Sequence, residues 1–187
     1  MKSLPAAIVA PALAGLAIAA AASIAVGGNA AAQGGIATPA GETVHVREVM
    51  QKQINPAILG VWDIGNNAMN DEGGIDPALM DDAKWASLED AAARLAAAAQ
   101  EMAAAGTIRA AHADRSAVTE GDVTMAKVQQ LIDADPAGFR QAAIAQTNHA
   151  QQLVAAAAAR DAAAAGPLVA EMDGVCESCH ARYWYGE

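Results

Sequence analysis

The only two cysteines of the chain stand in Cys176-Glu177-Ser178-Cys179-His180, with a histidine directly behind them and Glu187 ending the sequence seven positions later. Residues at i, i+3 and i+4 share one face of a helix, so a single helix can present both thiols and the imidazole together. Four chemistries use such a pair. A structural zinc site needs four ligands, yet there is no second cysteine pair, and His45, His112 and His149 are scattered without ligand spacing. A redox dithiol follows a strand and opens a helix, whereas this pair lies deep in the last helical segment of a chain with no alternating strand pattern. A disulfide across one helical turn closes almost no loop and stabilises little. Covalent haem attachment uses every feature. The thiols of Cys176 and Cys179 form thioethers with the two vinyl groups, and His180 offers an imidazole nitrogen to the iron.

The elements that must position this motif are helices. Alanine dominates the composition in runs such as "LAAAAQEMAAAG", and alanine is the best helix former. Such helices bury little apolar area each, and the chain has only six aromatic residues, so a large flat macrocycle would fill space that alanines leave. From Thr43, the residues Val46, Met50, Ile54, Ala57, Val61, Ile64 and Ala68 mark one apolar helical stripe, interrupted at Asn55-Pro56. A second helix starts with Asp76 as N-cap and Pro77, with a possible break near Lys84, and stops at Gly106. A long connection follows, holding a short helical turn around Val128, Leu131 and Ile132. Asp135-Pro136 repeats the start signal and opens a third helix to about Arg160. The fourth helix begins either near Asp161 or at Pro167 and carries the motif. The expected fold is all-α, an antiparallel four-helix bundle over residues 43–187.

The N-terminal segment reads as an export signal. Lys2 precedes the uncharged apolar run "AAIVAPALAGLAIAAAASIAV", and Ala30-Ala31-Ala32 fits the small-x-small cleavage rule. Residues 1–32 are then the signal peptide and 33–42 a flexible leader, with the mature protein in the periplasm and no stable membrane insertion. Its removal takes away one cation, Lys2, and no acid, changing the formal charge from −10 to −11. That balance disfavours nucleic acid and suits a basic partner. No Ser/His/Asp arrangement, apolar carboxylate pair or phosphate loop supports an enzyme, and a peroxidase would need polar groups on an open iron.

A signal peptide, four Ala-rich helices and a terminal attachment motif with the aromatic tail "ARYW" resemble the class II c-type cytochromes, the cytochrome c′ family and its low-spin relatives. The residues that carry the likeness are "CESCHARY" and the Arg47-x-x-Met50 of "VREVMQ"; the connection between helices two and three is longer than the family's pattern. The resemblance implies one haem c. It offers two functions: electron transfer between redox partner proteins with methionine as sixth ligand, or gas binding (NO, CO) at five-coordinate iron. It also implies a propionate contact for Arg182, for which a plain surface arginine is the alternative, and leaves a homodimer open. A non-haem helical structural protein is the remaining reading. In an up-down bundle the first and last helices are neighbours. At 1.5 Å per residue Met50 lies roughly 10 Å from Thr43, and His180 roughly 9 Å from Gly186, so the two share a level and Met50 is the expected distal ligand. Met69 lies too far along, Met172 is on the haem-bearing helix, Met102 competes, and His45 is a weaker candidate. Trp62 and Trp85 read as packing residues and His149 as solvated or hydrogen-bonded. N-terminal sequencing of the exported protein should return a start near Gln33; a start at Met1 would exclude cleavage.

Overall fold

A computed structural model describes residues 41–121 and 123–186. The expected signal segment, residues 1–32, and residues 33–40 of the leader lie outside them. The described chain is mostly helical, with two very small sheets that the sequence pattern does not announce. No helix among the described residues is long and apolar enough to cross a membrane.

The first helix starts later than expected, because Thr43–His45 forms a strand, β1. Helix α1 (Val46–Val49), a π turn (Met50–Ile54) and helix α2 (Asn55–Ala68) then run on without a break, since the junction residues keep right-handed helical dihedrals. Pro56 explains the π turn. It has no amide proton for the Lys52 carbonyl, and its ring crowds that oxygen. The wider turn just upstream, closed by the Asn55 N–H on the Met50 carbonyl, removes the conflict without ending the helix.

Asp76 accepts from the Ala78 N–H at 2.8 Å as an N-cap does, but it starts only a 3₁₀ turn, Pro77–Leu79. A second cap, Asp81, accepts from the Lys84 N–H at 2.8 Å and opens α3 (Asp82–Ala104). The break therefore falls before Asp81, not at Lys84. The Arg140 guanidinium donates to the carbonyls of Ala103 and Ala105, taking up acceptors that a helix C-terminus leaves orphaned.

Strand β2 (Thr107–Arg109) lies parallel to β1, with Thr43 beside Thr107, Val44 beside Ile108 and His45 beside Arg109. Gly106, which reads as a helix stop, has a second reason to be glycine: a Cβ there would stand 2.4 Å from the Gly41 Cα. Strands β3 (Thr119–Glu120) and β4 (Val123–Thr124) pair antiparallel. Two- and three-residue strands are too short to show an alternating pattern, which is why the sequence reads as strand-free.

Thr124 caps α4 (Met125–Ala134), a ten-residue helix where the sequence suggested one turn. Asp135 caps α5 (Pro136–Ala158), its carboxylate accepting from the Gly138 N–H at 3.0 Å. Asp161 caps α6 (Ala162–His180) through the Ala164 N–H at 3.0 Å, so the fourth helix begins at the earlier of the two expected places, with Pro167 inside it. A second π turn, Ala181–Tyr185, continues α6 and ends at Gly186 in the left-handed conformation, φ 75°.

The packing closes a ring: α2 on α3, α3 on α5, α5 on α6, and α6 on α2. Helices α3 and α5 pack on each other, and both bury alanines, among them Ala92, Ala98 and Ala99 on α3 and Ala143, Ala150 and Ala157 on α5. Glycines do the same for α2, where a Cβ at Gly60 would meet Ala91 at 3.1 Å and one at Gly65 would meet Val169 at 3.0 Å. Leu88, Leu95 and Leu153, with Met102, Met172 and Ile132, are among the largest fully buried side chains. Trp85 is buried as expected, but Trp62 is 37% exposed and is no core residue. Leu95→Ala should lower stability by about 2–5 kcal/mol, read as a lower midpoint in urea unfolding at unchanged slope; a cost below about 1 kcal/mol would mean the helices are not packed on it.

Candidate functional site

Cys176, Cys179 and His180 are half-buried on α6, while Glu177 and Ser178 between them are exposed. Of the three, Cys179 and His180 line a pocket, and Cys176 lies outside its lining. Both cysteines are free thiols. Burial first, then the charges of Asp173 and Glu177, push the Cys176 thiol up to about 11. Burial, with Cys176 as neighbour, pushes Cys179 to about 11 as well. At neutral pH the pair is protonated, the opposite of the lowered pKa that makes a dithiol a redox centre or a thiolate nucleophile.

Cys179 and His180 open onto a pocket of ≈ 260 Å³, just under the range of about 300–1,000 Å³ usual for cofactor sites. The two π turns form two of its walls. Met50 and Gln51 come from the first, and Tyr183, Trp184 and Tyr185 from the second. Such turns recur at functional sites because the extra residue re-aims the side chains around it. Met125 and Val128 of α4 and Phe139 of α5 complete an apolar lining, and Arg47 and Asn55 add polar groups. Four of the six aromatic residues of the chain therefore gather at this one place.

Met50 and His180 both line the pocket, and helix one begins at Val46, three residues later than Thr43. Met102 is buried elsewhere in α3 and is not part of the lining. Met125 was missed. Its signal is present, since Met125, Val128 and Ile132 step by three and four into the core, but so short a periodic run predicts only a single turn. Arg182 is not in the lining either; it pairs with the Asp135 carboxylate at 2.5 Å and lies over the Tyr183 ring. Arg47 is the cation that lines the pocket. His149 accounts for itself through a 2.8 Å hydrogen bond with the Leu168 carbonyl.

Tyr183 holds the second π turn in place. It is 4% exposed, packs edge-on against Phe139 with ring centres 5.3 Å apart, and donates its hydroxyl toward Asp135, with the carbonyl and a carboxylate oxygen both at 3.1 Å. Gly138 leaves room for this, because a Cβ there would stand 2.5 Å from the Tyr183 hydroxyl. The Gly138 N–H, then Tyr183 and Arg182, hold the Asp135 carboxyl below its usual range. The residue that caps α5 thus also fastens the C-terminal end of the chain.

In comparisons with protein families, with curated proteins and with solved structures, nothing matches this chain.

Burial and the bond to Asp135 raise the Tyr183 phenol from 10.0 to about 12. A raised folded pKa means that the tie is fully present below pH ~10 and is lost as the pH climbs from there through about 12. Tyr183→Phe should cost about 1 kcal/mol and remove the late phenolate ionisation from an ultraviolet titration. An unchanged titration curve would show that the hydroxyl is not held.

Proposed function

We propose that this chain is a periplasmic c-type cytochrome that carries single electrons on one haem c, which Cys176 and Cys179 would hold covalently and whose iron His180 and Met50 would bind. One observation carries the reading: Met50, from the start of the described chain, and Cys179 and His180, from its end, line the same pocket. The ring of α2, α3, α5 and α6 supports an antiparallel four-helix bundle of the cytochrome c′ kind, with α4 and the two small sheets as the enlarged connection.

Haem, when bound, supplies an iron centre that takes up and gives back one electron. The chain's own residues do the rest. Cys176 and Cys179 would add their thiols across the two vinyl groups. His180 would contribute an imidazole nitrogen and Met50 a soft thioether sulfur, a pair that would favour the reduced state. Val128, Phe139 and Trp184 would shield the iron from water, and Arg47 would offer a cation to the cofactor's carboxylates. An excess of acid over base, −10 for the full sequence, suits docking on a basic redox partner and repels nucleic acid.

A second reading draws on the same lining. Val46, Val128 and Phe139 offer the apolar surface that a five-coordinate, gas-binding centre needs if Met50 stays off the iron. Protein made with a haem-attachment system should keep its pigment through denaturing electrophoresis; a colourless product would leave a helical structural protein. The oxidised and reduced spectra should be low-spin and indifferent to carbon monoxide, and Met50→Ala should turn them high-spin and carbon-monoxide-reactive. If Met125→Ala does this instead, Met125 is the ligand and electron transfer stands. If the wild type already binds carbon monoxide, gas binding replaces it.

A further inference from the structure

His45 ends β1, Glu48 lies in α1, and His112 belongs to the connection that follows β2. The backbone brings them together. His45 is in register with Arg109, the Arg47 N–H donates to the Ala110 carbonyl at 2.9 Å, and the Ala110 N–H donates to Gln129 Oε1 at 2.8 Å. The two imidazoles stack with centres 3.5 Å apart and planes 21° from parallel. His112 Nε2 lies 3.0 Å from Glu48 Oε2, and one ligand atom from each of the three residues lies within 4.8 Å of the other two.

We propose that His45, Glu48 and His112 form a binding site for a divalent transition-metal ion of the zinc class, with water as the fourth ligand. Two imidazoles and one carboxylate make a donor set that zinc takes up with one position left to water. Ligand atoms around a tetrahedral zinc with bonds of ~2.1 Å stand roughly 3.4 Å apart, so the two stacked rings must unstack and turn until their nitrogens converge, a movement that the half-exposed His112 and Glu48 side chains have room to accompany. Glu48 already has its outer partner: Lys52 Nζ donates to the other carboxylate oxygen at 3.0 Å, the kind of second contact that orients metal-binding carboxylates. Nitrogen donors in the majority exclude calcium, which takes six to eight oxygens. The ion would fasten the long connection to the first turn of α1, where Glu48 stands two residues ahead of Met50. The site does not depend on the haem reading, since it uses none of the motif's residues.

Equilibrium dialysis of the chelator-treated full protein against zinc should show one ion per chain at micromolar free zinc, with millimolar calcium unable to displace it. His112→Ala, at an exposed position, and His45→Ala should each weaken binding at least about tenfold, while His149→Ala leaves it unchanged. Helical circular dichroism matching the wild type's shows that each variant is folded. No stoichiometric uptake up to roughly 100 µM zinc, or full affinity in His112→Ala, would overturn the proposal.

Discussion

An alanine side chain is a single methyl group, and the architecture of this protein follows from that constraint. Helices faced with alanine can approach closely, and α3 and α5, which pack on each other, bury Ala92, Ala98, Ala143 and Ala150, but each buried methyl contributes little hydrophobic free energy. Larger side chains such as Leu88, Leu95, Leu153, Met102 and Met172 fill the core between the helices. Four of the six aromatic residues, Phe139, Tyr183, Trp184 and Tyr185, line the pocket. The thin core and the well-furnished pocket are two sides of one composition.

Two departures from regular helix shape that end. The π turn at Met50–Ile54 answers to Pro56, and it sets how Met50 and Gln51 approach the pocket. The π turn at Ala181–Tyr185 follows directly on His180 and is held by the Tyr183–Asp135 contact. Asp135 sits at a junction of three loads: it caps α5, receives the Tyr183 hydroxyl and pairs with Arg182. Helix initiation and the closing of the C-terminal end therefore share one carboxylate.

The connection between α3 and α5 is where local reasoning fails. Its strands are two or three residues long, its glycine at 106 answers to a backbone contact with Gly41, and its histidine at 112 meets a residue from the start of the chain. None of these leaves a periodic signal. His45 and His112 lie 67 positions apart in the chain and show no ligand spacing along it, whereas the pairing of β1 with β2 brings them together across the fold.

Some features were decided locally and could be read from the sequence. Asp-Pro pairs mark helix starts because a short carboxylate satisfies free amides and proline needs none, and Asp135-Pro136 does so here. Cys176, Cys179 and His180 share a face because helix pitch alone puts them there. Pro56 was bound to disturb its helix. Tertiary structure decided what depends on pairs distant in sequence: that Arg47 and not Arg182 lines the pocket, that Met125 joins Met50 there, and that Trp62 stays at the surface. Spacing along a helix specifies a direction around its axis; which neighbour stands in that direction is settled only when the helices pack.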